Sequence, residues 1–507
     1  MTFVIGCDLG TTATKTGLFD EKGNCLVVAR KNSHIIYGKD GSVIQDPTEM
    51  LGTVVETIRE VMEKSGVKPA EVLGIALDGQ MAGVMGVDEK GEAATPYDSW
   101  LDIRSSGYAD VMKQKAEDLI IRRSGMAPSI NHGPKILWWK NEQPDVYRTI
   151  RAFTMPSCWI EQKLSGLSGE ETYIDPTYLH FSCFADLVNN RWDPEIIGLF
   201  EIEEHKFPRI VEPWDTIGGV QKEWADQMGL LAGTPLVAGC GDQAANCLGA
   251  GVSEPGIAFD VAGTASCFCL FVDSYRADVK YKTILFPRAV LRDRYYPMAY
   301  INGGGMDLEW AKNELFRDVV SSPEAFSRMA EEIEKNAPSP SGVVFVPHLR
   351  GRNCPTQSHL RGVFAGFSWD HTRAQLYRAI LEGIAFEYAY YVQVIRELIP
   401  EVKFKEVRVI GGGAKSPLWN RIKASVLQVP YVELNRQEFA IWGAAMVAGF
   451  AAGLYDDLPK VSMRSVERTR IHQPDEKLAS HYQKMIPYYL ETMAKMNGVF
   501  ESYPDLL

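Results

Sequence analysis

No two of the nine cysteines, at positions 7, 25, 158, 183, 240, 247, 267, 269 and 354, stand at CxxC spacing. A zinc knuckle or a disulfide framework is therefore not expected, and free thiols, buried or partly so, are. Long apolar runs are also missing. Phe3 to Cys7 is too short for the core of a secretory leader and has no basic flank, and no other run approaches membrane-spanning length. These absences point to the cytoplasm. Basic residues are outnumbered, 53 Lys and Arg against 65 Asp and Glu, for a net charge of −12. That balance argues against nucleic acid or an anionic membrane as partner, because both need a basic face. Neither the GxGxxG spacing nor the Walker GxxxxGK[ST] spacing occurs, so a dinucleotide fold and a P-loop are not supported.

What remains is an ordinary globular composition, 46% hydrophobic and 23% charged over 507 residues, a length that suits two large α/β domains. The chain opens on FVIGCDLGTTATKTGLF, two apolar runs around Asp8, Gly10, Thr11 and Thr12. The pattern predicts a β-hairpin whose turn suits a phosphate. Gly10 lets the backbone approach, N–H groups and the hydroxyls of Thr11 and Thr12 can donate, and Asp8 can hold Mg²⁺ through water. An ordinary polar turn is the plainer alternative. Asp46-Pro47-Thr48-Glu49 starts a helix to about Lys64, and Val72 to Leu77 is a buried-type strand ending in Asp78-Gly79-Gln80-Met81-Ala82-Gly83. Polar residues at such a strand end face the crevice where open α/β sheets bind ligands.

Trp100, Asp102 and Arg104 follow at two-residue spacing and would project together from an extended segment. A ring face with a carboxylate and a guanidinium suits a sugar, the alternative being a salt bridge beside a half-buried tryptophan. A helix is expected from Pro134, with Trp138 and Trp139 in the core, whereas residues 144–232 carry no clear chemical motif. In GTPLVAGCGDQAANCLGAG, a short strand from Pro235 to Ala238 and a tight turn over Gly239 to Gly241 lead to a small-residue helix from Gln243. Asp242 sits at the junction, where a helix N-terminus favours its ionised form; a simple N-cap is the other reading.

Phe259-Asp260-Val261-Ala262-Gly263-Thr264 repeats the order Asp, Gly, Thr of the opening turn and hints at two related halves, with a boundary near Val252 to Gly256. Further on, Tyr300 to Gly305 is a strand and glycine turn, with helices from Leu308 and Pro323. Pro347 to Pro355 is a basic loop, and Thr372 to about Leu398 is a long helix. Val407 to Ile410 delivers Gly411-Gly412-Gly413-Ala414-Lys415-Ser416 into a helix, a unit that can cradle a nucleotide. The tail from Leu458 reads as helical, with Tyr482, Ile486 and Tyr489 as a packing stripe.

Together these residues resemble the FGGY carbohydrate kinases, most closely the xylulokinase-like branch, over essentially the whole length. The matching motifs are Asp8-Leu9-Gly10-Thr11-Thr12, Gly241-Asp242-Gln243-Ala244-Ala245, Gly263-Thr264, Gly362-x-Phe364-x-Gly366-Phe367 and Gly411-Gly412-Gly413-Ala414-x-Ser416-Pro417. The resemblance implies two actin-like, ribonuclease H-like ATPase domains, residues 1–252 and 253–507, around a central cleft. It implies transfer of the γ-phosphoryl of MgATP to a sugar hydroxyl, with Asp242 as general base and Asp8 and Asp242 at the Mg²⁺ ion. ATP contacts are expected from Gly10, Thr11, Thr12, Lys15, Gly263, Thr264, Gly303, Gly412, Gly413 and Ser416. Sugar contacts are expected from Gln80, Met81, Ala82, Trp100, Asp102, Arg104, Asp242 and Gln243.

Homodimers are common in such enzymes, but nothing in the chain marks an interface. Xylulokinases carry His where this chain has Ala82, so a sugar with another hydroxyl pattern is expected, a small ketose or polyol. The basic loop from Arg350 to Pro355 keeps an aldonate such as gluconate as an alternative. A non-catalytic nucleotide and sugar sensor on the same fold, and a chaperone-like ATPase, are the readings from other classes.

Overall fold

The computed structural model describes residues 1–503. Strands β1 (Phe3–Leu9) and β2 (Ala13–Asp20) form the expected hairpin, in register from Phe3 opposite Asp20 to Leu9 opposite Thr14. Gly10 closes it by donating to Ala13 O at 3.2 Å. Strands β3 (Cys25–Asn32), β4 (Val72–Gly79), β5 (Thr216–Gly219) and β6 (Pro235–Gly241) complete a six-stranded sheet in the order β5-β6-β4-β1-β2-β3. β1, β4 and β6 run parallel, so their carboxyl ends come together at one edge of the layer. Helix α1 (Pro47–Ser65) is capped by Asp46, which accepts from Thr48 N, and stops at left-handed Gly66. It covers the hairpin and satisfies two buried strand hydroxyls, Thr14 pairing with Thr53 and Thr16 with Thr57, each at 2.7 Å.

The second sheet uses β7 (Ile257–Ala262), β8 (Ser266–Leu270), β9 (Met298–Ile301), β10 (Glu406–Ile410), β11 (Tyr431–Leu434) and β12 (Arg468–His472), in the order β9-β8-β7-β10-β11-β12. Strand directions across it repeat those of the first sheet, with an antiparallel hairpin, two parallel neighbours and an antiparallel edge. The short repetition around Gly263 and Thr264 thus belongs to a repeated layer.

Helices α2 (Asp242–Gly249), α3 (Gly305–Leu315), α4 (Arg373–Leu398), α5 (Pro417–Leu427), α6 (Phe439–Ala451) and α7 (Glu476–Ser502) carry the elements that matter below. α6 is buried on every side through Gly449, in keeping with its nearly uninterrupted apolar sequence. It lies across β1 and against α2, joining the two halves of the chain. Close backbone crossing explains three glycines there. An added Cβ would stand 1.9 Å from Ile441 O at Gly6, 2.1 Å from Ala245 O at Gly443 and 2.0 Å from Phe439 O at Gly249. Among the described residues no helix is long and apolar enough to cross a membrane.

Several expectations are corrected. The strand before Asp242 does not turn at Gly239 but continues through Gly241, with a register shift after Val237 that left-handed Gly239 absorbs. The helix expected from Pro134 begins at His132, and α3 begins at Gly305 rather than Leu308. The tail is not wholly helical, since β12 interrupts it as a sheet edge. Trp139 is buried as expected, while Trp138 is only half-buried beneath the Arg104 guanidinium, 4.2 Å from its ring centre. Eight of the nine thiols are buried and all are free; Cys25 is exposed.

Candidate active site

Parallel pairing of β1 with β4 sets Asp8 directly opposite Asp78, and β6 brings Cys240 beside Asp78 before delivering Asp242 as the first residue of α2. Three carboxylates therefore gather at the carboxyl ends of three adjacent strands. Asp8 and Asp242 are half-buried, whereas Asp78 is fully buried and has no partner for its oxygens beyond the Asp8 carboxyl. Loss of solvent raises the pKa of Asp8 to about 6, opposed by the Lys15 ammonium. The same desolvation, reinforced by the neighbouring Asp8 charge, pushes Asp242 up to about 7. Asp78 is held well above the usual carboxylate range by burial, then by Asp8 and Asp242. Asp242 Oδ1 accepts from Gln243 N at 2.6 Å, which fixes the carboxylate at the head of α2.

Among the described residues no group of three or more His, Cys, Asp or Glu side chains is arranged to hold a metal by itself. The donor set still fits Mg²⁺. That ion keeps several waters and takes only one or two carboxylates, and buried oxygens without a partner are what a hydrated cation satisfies. Asp8 would face it, with Asp242 beside it. Lys15 is paired with Glu438 at 2.8 Å, a bond that spans the first sheet and the head of α6.

Next to the carboxylates, a closed chain of hydrogen bonds ties the opening turn to the end of β4. Trp100 Nε1 donates to Thr11 Oγ1 at 3.0 Å, Thr11 Oγ1 to Gln80 Oε1 at 3.2 Å and Gln80 Nε2 to Gln45 Oε1 at 2.7 Å. Gln45 Nε2 returns to Thr11 O at 3.2 Å. The Thr11 proton is thus committed to Gln80, while Thr12 stands exposed on the turn. Gln45 was not singled out in the sequence. The segment carrying Trp100, Asp102 and Arg104 is a turn, not an extended strand, and its side chains diverge. Trp100 remains exposed, but Asp102 is buried, accepting from Val43 N at 2.9 Å and from Arg104 Nε at 2.9 Å. Arg104 also reaches Asp98 at 2.7 Å, and Lys135 donates to Asp102 O at 2.8 Å. Trp100 faces the open side; the ion cluster forms the wall behind it.

Met81 is buried against Gly241, where an added Cβ would come within 2.6 Å of its methyl. Ala82 has a left-handed φ of 64°, and Gly83 follows so close to Tyr97 that a Cβ would lie 2.2 Å from the phenol oxygen and 2.4 Å from Asp98 O. Gly83→Ala is accordingly expected to destabilise the protein by about 2–3 kcal/mol, read as a lower denaturation midpoint, because the opposing atoms include backbone. Gln243 leaves its side-chain oxygen buried without a partner beside Asp242. Beneath these residues Tyr178 OH donates to Cys240 O at 3.0 Å or Gly79 O at 3.2 Å, and Thr177 Oγ1 accepts from Gly241 N at 2.8 Å. Both lie in the stretch that showed no motif. A signal was there: Asp175-Pro176-Thr177 repeats the capping pattern of Asp46-Pro47-Thr48.

In the second half, the turn between β7 and β8 exposes Thr264 and docks on the head of α3, with Gly263 O accepting from Gly305 N and Thr264 O from Met306 N, each at 3.1 Å. Gly303 and Gly304 permit that contact, since a Cβ on Gly304 would strike Ser266 Oγ at 2.0 Å. The loop after β10 abuts the same turn, a Cβ on Gly411 lying 2.7 Å from Ala262 O and one on Gly413 2.7 Å from Ala262 Cβ. Gly412 faces open space, and Ser416 caps α5 by accepting from Trp419 N. The structure thus gathers Gly263, Thr264, Gly303, Gly412, Gly413 and Ser416 around one floor.

The basic loop is not what its sequence suggests. Arg352 is buried and bonded to Glu387 at 2.7 Å, so only Arg350 presents a free-standing positive charge there.

Family models for the N-terminal and C-terminal domains of the FGGY carbohydrate kinases match residues 3–249 and 259–452. The chain belongs to the FGGY family of carbohydrate kinases. It is 26% identical to the xylulose kinase of Bacillus subtilis (strain 168), over 96% of each chain. Ligand-bound xylulose kinase from Lactobacillus acidophilus superimposes with a TM-score of 0.90, at 24% identity over 99% of this chain and 100% of that one. Gluconate kinase from the same organism gives a TM-score of 0.90, at 25% identity over 99% of each chain. The two sheets are therefore those of the two-domain actin-like fold, and the protein is a carbohydrate kinase, of a family in which ATP is the phosphate donor.

Proposed function

We propose that this kinase phosphorylates a hydroxyl of a small ketose, with Asp242 as the general base, residues 1–252 holding the sugar and residues 253–507 the nucleotide. The observation that carries the reading is the position of Asp242, at the head of α2 beside Asp8 and next to an unpartnered Gln243 oxygen. Asp242 accepts the hydroxyl proton as the sugar oxygen forms its bond to the γ-phosphorus and the bond to the ADP oxygen breaks. A base with a pKa near 7 is matched to that transfer at neutral pH. Thr12, Thr264 and the glycine floor position the phosphates, and Mg²⁺ held at Asp8 would supply charge neutralisation on them. Lys15, Gln80, Trp100 and the Asp102–Arg104 wall hold the first half of the site in shape.

A ketose is favoured over an aldonate. The carboxylate of an aldonate needs an uncompensated cation beside the sugar; Arg104 and Arg352 are both spent on carboxylates, and Arg350 lies in the half assigned here to the nucleotide. Ala82 in place of an imidazole removes one polar contact from the pocket, so D-xylulose is not the expected best substrate. Coupled ADP release with MgATP against ketopentoses, ketohexoses, tetruloses, polyols and aldonates tests the assignment. The expected result is turnover of a ketose with kcat/KM at least tenfold above that for gluconate. A preference for gluconate would overturn the ketose reading, and no turnover of any member would overturn the substrate class.

A further inference from the structure

We propose that Asp78 is a further positioning residue of the transfer centre: paired with Asp8 across the β1–β4 ladder, it is the second carboxylate wall of the divalent-cation site. The inference rests on the Mg²⁺ reading above and goes beyond it, because Asp78 has no part in the sugar or nucleotide contacts.

Four observations carry it. Asp78 lies opposite Asp8 in a parallel ladder, so the two side chains leave the sheet on the same face, one strand spacing apart. Their carboxyls are within hydrogen-bonding reach of each other, and Asp78 also feels the charges of Asp242 and Lys15. It is fully buried, and beyond the Asp8 carboxyl neither of its oxygens has a partner, although backbone and side-chain groups satisfy the other deep acids nearby. Glu161, for comparison, accepts from Leu77 N at 2.9 Å and from Tyr173 OH, and Asp175 accepts from Thr177 N at 2.9 Å. A structural acid in this layer is given donors. Asp78 alone is turned to the strand ends without any.

A buried carboxyl whose one partner is another carboxyl is expensive to keep and persists where something outside the protein completes the pair. The sugar side is the poorer candidate for that role. Gln80, two residues on, already points its amide at Gln45 and Thr11, and the partner of Asp78 is Asp8, on the phosphate turn. The pair Asp8–Asp78 therefore defines an acidic wall in which Asp8 can accept from the waters of a hydrated Mg²⁺ while Asp78, behind it, fixes the rotamer of Asp8 toward the ion.

The test is Mn²⁺ binding to the full-length protein with ADP present, followed by the electron paramagnetic resonance signal of free Mn²⁺, for wild type, Asp78→Asn and Asp78→Ser. Wild type is expected to bind Mn²⁺, and both variants to bind it five- to tenfold more weakly. They should also need correspondingly more Mg²⁺ for half-maximal turnover, with KM for the sugar unchanged within twofold. Thermal melts select the variant that folds; the smaller serine serves if asparagine does not. Equal Mn²⁺ affinity in wild type and a folded variant overturns the proposal, as does a shift confined to the sugar KM. Failure of wild type itself to bind Mn²⁺ with ADP would instead remove the cation reading on which the proposal stands.

Discussion

Asp242→Asn is expected to lower sugar-dependent ADP release by about 10²- to 10⁴-fold, the range over which a positioned general base contributes. Asparagine keeps the volume and can still receive the Gln243 amide that holds Asp242 Oδ1 at 2.6 Å, so the head of α2 should not move. What is lost is the ability to take a proton. The variant also removes a carboxylate that crowds Asp78, and such repulsion, added to burial, is part of why Asp78 and Asp242 sit above the usual carboxylate range. Stability should accordingly stay level or rise, and the denaturation midpoint should not fall. The loss must appear in kcat, with KM for the sugar changed only modestly, because a proton acceptor acts in the transition state rather than in ground-state binding. Single-turnover quench-flow on wild type and variant separates chemistry from product release. A variant retaining more than a tenth of wild-type chemistry would remove Asp242 from the role of base.

The site was legible where its chemistry is local and opaque where it is assembled across the chain. The two Gly-Thr hairpin turns, the strand-to-helix junction at Asp242 and the glycine loop after β10 could be read as local structure because each is a strand, a turn and a strand or helix written in consecutive residues. Asp78 could not be read as special. In one dimension it is a polar residue ending an apolar run, and only the parallel ladder places it opposite Asp8. The Trp100 to Arg104 stretch misled for a related reason. Period-two spacing implies common projection only if the backbone is extended, and Asp98, Val43 and Lys135, which fix the real geometry, come from elsewhere. β12 was missed because Arg468, Thr469, Arg470 and Ile471 are all exposed on a sheet edge, so no alternation marks them. Its pairing with β11 is supplied by backbone groups, which composition does not reveal.

The basic loop shows how such long-range pairing bears on stability. Glu387 on α4 receives Arg352 through Nη2 at 2.7 Å and Nε at 2.9 Å on one oxygen, and Tyr489 of α7 at 2.6 Å on the other. Burial by itself would raise the Glu387 pKa, but the guanidinium overcomes it and holds the group down at about 2. Glu387→Gln leaves Arg352 buried and uncompensated and is expected to cost about 3–5 kcal/mol. The sign with pH follows from the depressed value. The unfolded chain binds the proton near pH 4.5 and the folded one only near 2, so the stabilisation is fully present above about pH 4.5 and is lost as pH falls toward 2. Denaturation midpoints of wild type and variant should therefore differ by a constant amount at pH 7 and pH 6, draw closer by pH 3.5 and converge only as pH approaches 2. A gap that persists undiminished into acid would show that the carboxylate charge is not what Arg352 needs. The loss should also reach function, because Arg352 leads into Asn353, which donates to Asn302 Oδ1 at 2.7 Å just before the Gly303 turn. KM for ATP is expected to rise more than KM for the sugar, since the loosened loop borders the glycine turn proposed here to hold the nucleotide and not the segment around Trp100.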